Sequence, residues 1–137
     1  MTPMRTRSIH SMGMLILVLA GCGSPHGPLA PGRGKVTLDG KPLTDGFVKY
    51  VPTESNSLRT FPSGKIDATG AYQVFVTGHK GIPYGSYKAT VVVLEREGEP
   101  AKVSVPSKYS NWETTPLKVE VSKDSKEADF DLNLVSK

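Results

Sequence analysis

Two segments near the carboxyl end alternate with a period of two: Leu117-Lys-Val-Glu-Val121 and Ala128-Asp-Phe-Asp-Leu-Asn-Leu134. Successive side chains of a strand point to opposite faces. This spacing therefore sets Leu117, Val119, Val121, Phe130, Leu132 and Leu134 on a buried face. It sets Lys118, Glu120, Asp129 and Asp131 in water. A slip of one residue would bury those charges, so the pairing is strongly specified. No stretch after the leader described below keeps a 3.6-residue repeat. The 137 residues include 14 Gly and 11 Pro, a density that keeps interrupting helices. No helix longer than one or two turns is expected in the domain.

Upstream, strand-like runs alternate with turn signals. Lys35-Val-Thr-Leu38 leads into Asp39-Gly40, and Asp45-Gly46 precedes Phe47-Val-Lys-Tyr-Val51, which Pro52 closes. Asp67-Ala-Thr-Gly70 turns into Ala71-Tyr-Gln-Val-Phe-Val76. Asp-Gly pairs and glycines at such points supply the positive φ of hairpin turns. Thr77 to Gly85 reads as a loop. Ser86-Tyr-Lys-Ala-Thr-Val-Val-Val-Leu94 is the most β-branched run and reads as a central strand. Six to eight short strands in about 100 residues predict one all-β domain over 34–137, a seven-stranded antiparallel β-sandwich.

The amino end has a different character. Arg5 and Arg7 precede the apolar run Met14-Leu-Ile-Leu-Val-Leu-Ala20, followed by Gly21 and Cys22. A basic head, an apolar middle and small residues at the cut make a secretory signal. The run from Met12 to Cys22 would reach roughly 16 Å as a helix, half of a hydrocarbon core of about 30 Å. Leu19-Ala20-Gly21-Cys22 resembles the bacterial lipobox, which implies cleavage between Gly21 and Cys22 and a diacylglyceryl thioether on Cys22. Cys22 is the only cysteine of the chain. The expected organisation is a signal peptide over 1–21, a flexible Gly/Pro linker with the lipid anchor over 22–33, and the sandwich over 34–137. Loss of Arg5 and Arg7 would take the net charge from +4 to +2. Without a dense Lys/Arg cluster, no nucleic-acid partner is expected. The expected location is the cell envelope, on the periplasmic face or the outer membrane.

The blocks Gly34-Lys-Val-Thr-Leu-Asp-Gly-Lys-Pro-Leu43, Gly46-Phe-Val-Lys-Tyr-Val-Pro52, Asp67-Ala-Thr-Gly-Ala-Tyr72 and Gly85-Ser-Tyr87 occur in that order. Together they resemble the carboxypeptidase regulatory-like, transthyretin-like sandwich. The tail, with Val105-Pro-Ser-Lys-Tyr109 and Thr115-Pro-Leu-Lys-Val119, looks like a version found in small planctomycete lipoproteins. The resemblance implies a prealbumin-like fold and an accessory or interaction role, since fold alone does not imply chemistry. Tyr72 and Tyr87 open strands, with a ring to bury and a hydroxyl that can stay wet.

Catalytic groups are sparse. Of the three histidines, His10 falls in the leader, His26 in the linker and His79 in the Gly78-His-Lys-Gly81 loop. Both later histidines read as solvated, which leaves no zinc set and no catalytic triad. Asp67-Ala-Thr-Gly70 offers one carboxylate where calcium loops space several. No catalytic residue, metal or cofactor is expected. The chain reads as a non-catalytic envelope module bound to the membrane by its anchor and to an envelope protein or glycan. Tyr109 and Trp112, the sole tryptophan, read first as a loop that folds its own aromatics over one end of the sandwich; as a candidate ligand-binding pair, a stacking platform, they would suit a carbohydrate-binding module.

Overall fold

The computed structural model describes residues 26–56, 59–94, 97–99 and 104–137. The expected leader over 1–21 and the expected anchor at Cys22 lie outside these residues. The described chain is all-β, with twelve strands and two single 3-10 turns. They are β1 (Leu29–Ala30), β2 (Arg33–Leu38), β3 (Lys41–Pro42), β4 (Phe47–Pro52), β5 (Ser63–Lys65) and β6 (Ala71–Gln73). There follow β7 (Phe75–Val76), β8 (His79–Lys80), β9 (Ile82–Pro83), β10 (Gly85–Val92), β11 (Lys118–Val121) and β12 (Leu132–Leu134). The 3-10 turns are Ser107–Tyr109 and Glu127–Phe130. No helix among the described residues is long and apolar enough to cross a membrane.

One open sheet runs β11-β10-β4-β5-β7-β8, and a second runs β12-β2-β3 with β6 also on β2. They form a sandwich whose interior is filled from both sides. Val48 and Tyr50 of β4, and Tyr87, Ala89 and Val91 of β10, are buried from one side. Val36, Tyr72, Phe130, Leu132 and Leu134 are buried from the other. The valine-rich β10 lies between β4 and β11, which is why it is so apolar. The Asp39–Gly40 turn has φ of 50° and 82° at its two residues, as the type I′ hairpin requires.

Several expectations need correction. The run Ala71–Val76 is not one strand. β6 pairs with β2, whereas β7 pairs with β5 in the other sheet. Val74, at the crossing, donates to the Gly32 carbonyl at 2.8 Å and accepts from Gly81 N–H at 2.9 Å. The crossing is tight: a Cβ on Gly64 would lie 2.3 Å from the Gln73 carbonyl oxygen. Alternation also fails at Ala128–Phe130, because Asp129 Oδ2 accepts the Lys126 N–H at 2.8 Å and the backbone curls into a turn. Phe130 remains fully buried. β12 then runs parallel to β2, not antiparallel, with Leu132 opposite Val36. Nor is Thr77–Gly85 a plain loop, since it holds β8 and β9.

The described part of the expected flexible linker is docked on the sandwich. Leu29 and Ala30 pair with Pro83 and Ile82. Gln73 Nε2 donates to the Pro31 carbonyl at 2.8 Å. Small residues make this possible, because a Cβ on Gly81 would meet the Ala30 carbonyl oxygen at 2.6 Å. Glycine and proline here let two backbones approach; they do not leave the segment unpaired.

Candidate functional site

Alternation along β4 and β10 directs Phe47, Lys49, Val51, Lys88 and Val92 to the outer face of the six-stranded sheet. Over one end of this face lies a groove of about 940 Å³, with Lys49, Val51, Pro52, Phe61, Lys88 and Trp112 among its walls. Phe61 is 57% exposed and Trp112 52% exposed. Lys49 Nζ stands 4.7 Å from the Phe61 ring centroid, and Lys88 Nζ stands 5.9 Å from that of Trp112. Two aromatic faces and two ammonium groups thus line one concavity, each cation held by a ring quadrupole. Each such contact at an exposed site contributes about 0.5–1 kcal/mol.

Local hydrogen bonds present the indole. Asn111 Oδ1 accepts from the Glu113 N–H at 2.9 Å, and the Asn111 carbonyl accepts from the Thr115 N–H at 2.9 Å. This turn carries Trp112 at its tip. Thr115, buried, donates its hydroxyl to the Ala89 carbonyl of β10 at 2.7 Å. The tryptophan loop is therefore hooked onto the strand that carries Lys88.

Tyr109 is not part of this surface. It is 2% exposed, and its hydroxyl accepts from the Val135 N–H at 3.0 Å. Its ring belongs to the core and ties the 3-10 turn to the segment after β12. Proximity in sequence hid the difference: Tyr109 and Trp112 are three residues apart, yet one is packed and the other presented. The second aromatic of the groove is Phe61, from a polar stretch whose alternation is too weak to mark it. The signal that could have found it is a lone Phe before a Pro in an otherwise polar run.

His26 and His79, expected apart, have ring centroids 6.4 Å from each other, and His26 Nε2 lies 2.5 Å from Thr77 Oγ1. The docking of β1 brings them together. Two imidazoles fall short of a metal set, and no group of three or more His, Cys, Asp or Glu gathers among the described residues.

A second cavity of about 590 Å³ lies between Arg33, Lys35, Lys65, Asp67, Glu127 and Asp131. Its carboxylates serve the fold. Asp67 Oδ1 accepts from Thr69 and Ala71, and Asp131 Oδ1 accepts from the Lys35 N–H at 2.9 Å. The Asp67 carboxyl is held below its ordinary range, first by the Thr69 hydroxyl and then by backbone N–H groups. The aromatic groove is the better candidate, because Lys49, Phe61, Lys88 and Trp112 meet one another rather than the backbone. No family model matches the chain, and neither does any curated protein or solved structure.

Proposed function

We propose that the chain is a non-catalytic cell-envelope lipoprotein, anchored through Cys22, whose sandwich is a binding module with the aromatic–lysine groove as its binding face. The observation that carries this reading is the joint exposure of Phe61 and Trp112 in one concavity. Large exposed aromatics gathered in one concavity are uncommon without a partner. The lipobox-like Leu19-Ala20-Gly21-Cys22 and the single cysteine support the anchor. The sandwich architecture supports the likeness to carboxypeptidase regulatory-like domains only at the level of fold class.

The docked linker bears on how such a module would stand. From Cys22 to His26 there are four Cα steps, at most about 14 Å of chain. The anchor would therefore hold the sandwich close to the bilayer, on the side where His26 meets the β7–β8 hairpin.

A carbohydrate is the ligand class that the exposed indole favours, with Phe61 in the place expected for Tyr109. An indole face packs against the C–H face of a sugar ring while the ring hydroxyls stay solvated. Trp112 is the only tryptophan, so emission excited at the red edge of the indole band, beyond tyrosine absorption, reports this groove alone. Titration with envelope polysaccharide is expected to shift or quench the emission saturably, and Phe61→Ala to weaken the response. Emission that stays constant through the titration overturns the reading of the groove. Intact mass of the membrane-extracted protein is expected to show acyl groups at Cys22; an unmodified thiol overturns the anchor.

A further inference from the structure

Three lysines at and beside the groove, Lys49, Lys88 and Lys118, carry the positive charge of this outer face. Lys88 of β10 sits in register opposite Lys118 of β11, on the same face, and opposite Val51 of β4 on its other side. Like charges directly opposite on neighbouring strands destabilise a sheet. No carboxylate among the described residues lies within ion-pair distance of Lys49, Lys88 or Lys118; the ion pair seen there is Arg33–Glu127, at 3.6 Å in the other cavity. Lys118 lies outside the groove walls and lines a separate cavity with Glu120, Asp124 and Asp129, of which Glu120 stands on β11 and accepts from the Ser86 hydroxyl at 2.5 Å. Glu54, on the groove rim, is the one acid among the lining residues. The sheet thus keeps a repulsive Lys–Lys pair, extends it diagonally to Lys49, and sets aromatic faces beside it.

We propose that the groove takes an acidic polysaccharide that runs on across β10 to β11, with its carboxylates on Lys49 and Lys88 in the groove and on Lys118 beyond its wall, and a sugar face on Trp112. This rests on the reading of the groove as the binding face. Charge complementarity selects an anion, because an anionic chain turns the Lys88–Lys118 repulsion into attraction. Concavity selects a single chain over a bilayer, whose surface cannot enter a groove. Exposed aromatic faces in the same concavity select sugar rings over an acidic peptide, whose carboxylate side chains offer no flat apolar face.

Polygalacturonate and its methyl ester have the same sugar backbone with and without charge, and Trp112 emission of the full-length protein in detergent reports both. Polygalacturonate is expected to bind roughly tenfold more tightly than the ester at low salt, the sum of several exposed ion pairs. That preference is expected to fade as salt approaches 1 M, where the Debye length is about 3 Å. Lys118→Met is expected to remove most of the preference while leaving Tm unchanged or higher, since it relieves the like-charge pair. A purely structural lysine would not show that combination. Equal binding of ester and acid, with Phe61→Ala weakening both, overturns the acidic ligand while the groove stands. Binding of anionic vesicles or poly-glutamate in preference to polygalacturonate also overturns it. No response to any of these probes overturns both readings.

Discussion

The Tyr50 hydroxyl meets the Tyr72 hydroxyl at 2.5 Å across the two layers of the sandwich, and Tyr72 in turn donates to the Phe130 carbonyl. A carbonyl only accepts, so the Tyr72 proton points there and Tyr50 is the donor to Tyr72. The chain of bonds has a direction, and the two tyrosines are unequal. Tyr50→Phe removes one donor and leaves the Tyr72–Phe130 bond intact, at a cost of about 1 kcal/mol. Tyr72→Phe strips Phe130 of its donor and Tyr50 of its acceptor, at a cost of about 2–3 kcal/mol. Urea midpoints at unchanged m-value should rank the variants in that order. Equal losses would mean the bonds run otherwise.

The same burial makes the fold sensitive to alkali. Burial pushes the Tyr50 and Tyr72 phenols well above their ordinary value, and raises Tyr87 as well. A phenol whose folded pKa is raised stabilises the fold fully below its unfolded pKa of about 10. That contribution is lost as pH rises toward the folded pKa. Stability should hold level to about pH 10 and fall above it. Phenolate absorbance of the buried tyrosines should appear together with loss of the folded circular dichroism signal. Absorbance rising fully while the fold persists would contradict the packing.

Periodicity made the strands legible where one face meets the core and the other meets water. Lys118-Val-Glu-Val121 shows it in sequence and in structure. It misled where a side chain could bond its own backbone, as Asp129 does with the Lys126 N–H. Nor could it reveal the break at Val74. The apolar pattern of Ala71–Val76 is the same whether one sheet or two receive it, and only Gly64 of β5 and Gly32, between β1 and β2, decide. The hydroxyls of Tyr72 and Tyr87 are buried because each found an acceptor, Phe130 for Tyr72 and Pro83 for Tyr87 at 2.8 Å, which no strand pattern shows. Half of the groove was legible. Trp112 stands out by rarity, but Phe61, Lys49 and Lys88 meet it only through the pairing of β4, β5 and β10.

The docked amino-terminal segment should resist proteases despite its Gly/Pro content. Cleavage between His26 and Arg33 requires β1 to open from β9, so the rate tracks that local equilibrium. Gly81 has φ of +119° and no room for a Cβ beside the Ala30 carbonyl. Gly81→Ala is expected to loosen this contact by about 1–3 kcal/mol, the usual cost of a strained backbone site. Cleavage in 26–33 should then speed up about tenfold or more, since 1.4 kcal/mol is tenfold. Unchanged rates would place the segment free of the sandwich.

Thr115 offers a way to move Trp112 without touching it. Its hydroxyl bond to the Ala89 carbonyl holds the tryptophan loop on β10. Thr115→Val keeps shape and burial but loses the donor, leaving that carbonyl without it at a cost of about 1–3 kcal/mol. Trp112→Ala should cost less than 1 kcal/mol in stability, because the indole is 52% exposed. The two variants should therefore reverse in order between the two readouts. Trp112→Ala should abolish polysaccharide binding with near-normal Tm. Thr115→Val should lower Tm, weaken binding only in part and change the emission of the unliganded protein. Thr115→Ser, which restores the donor, should recover both. Binding that follows Tm across all three variants would reduce the loop to a structural element and remove Trp112 from the binding face.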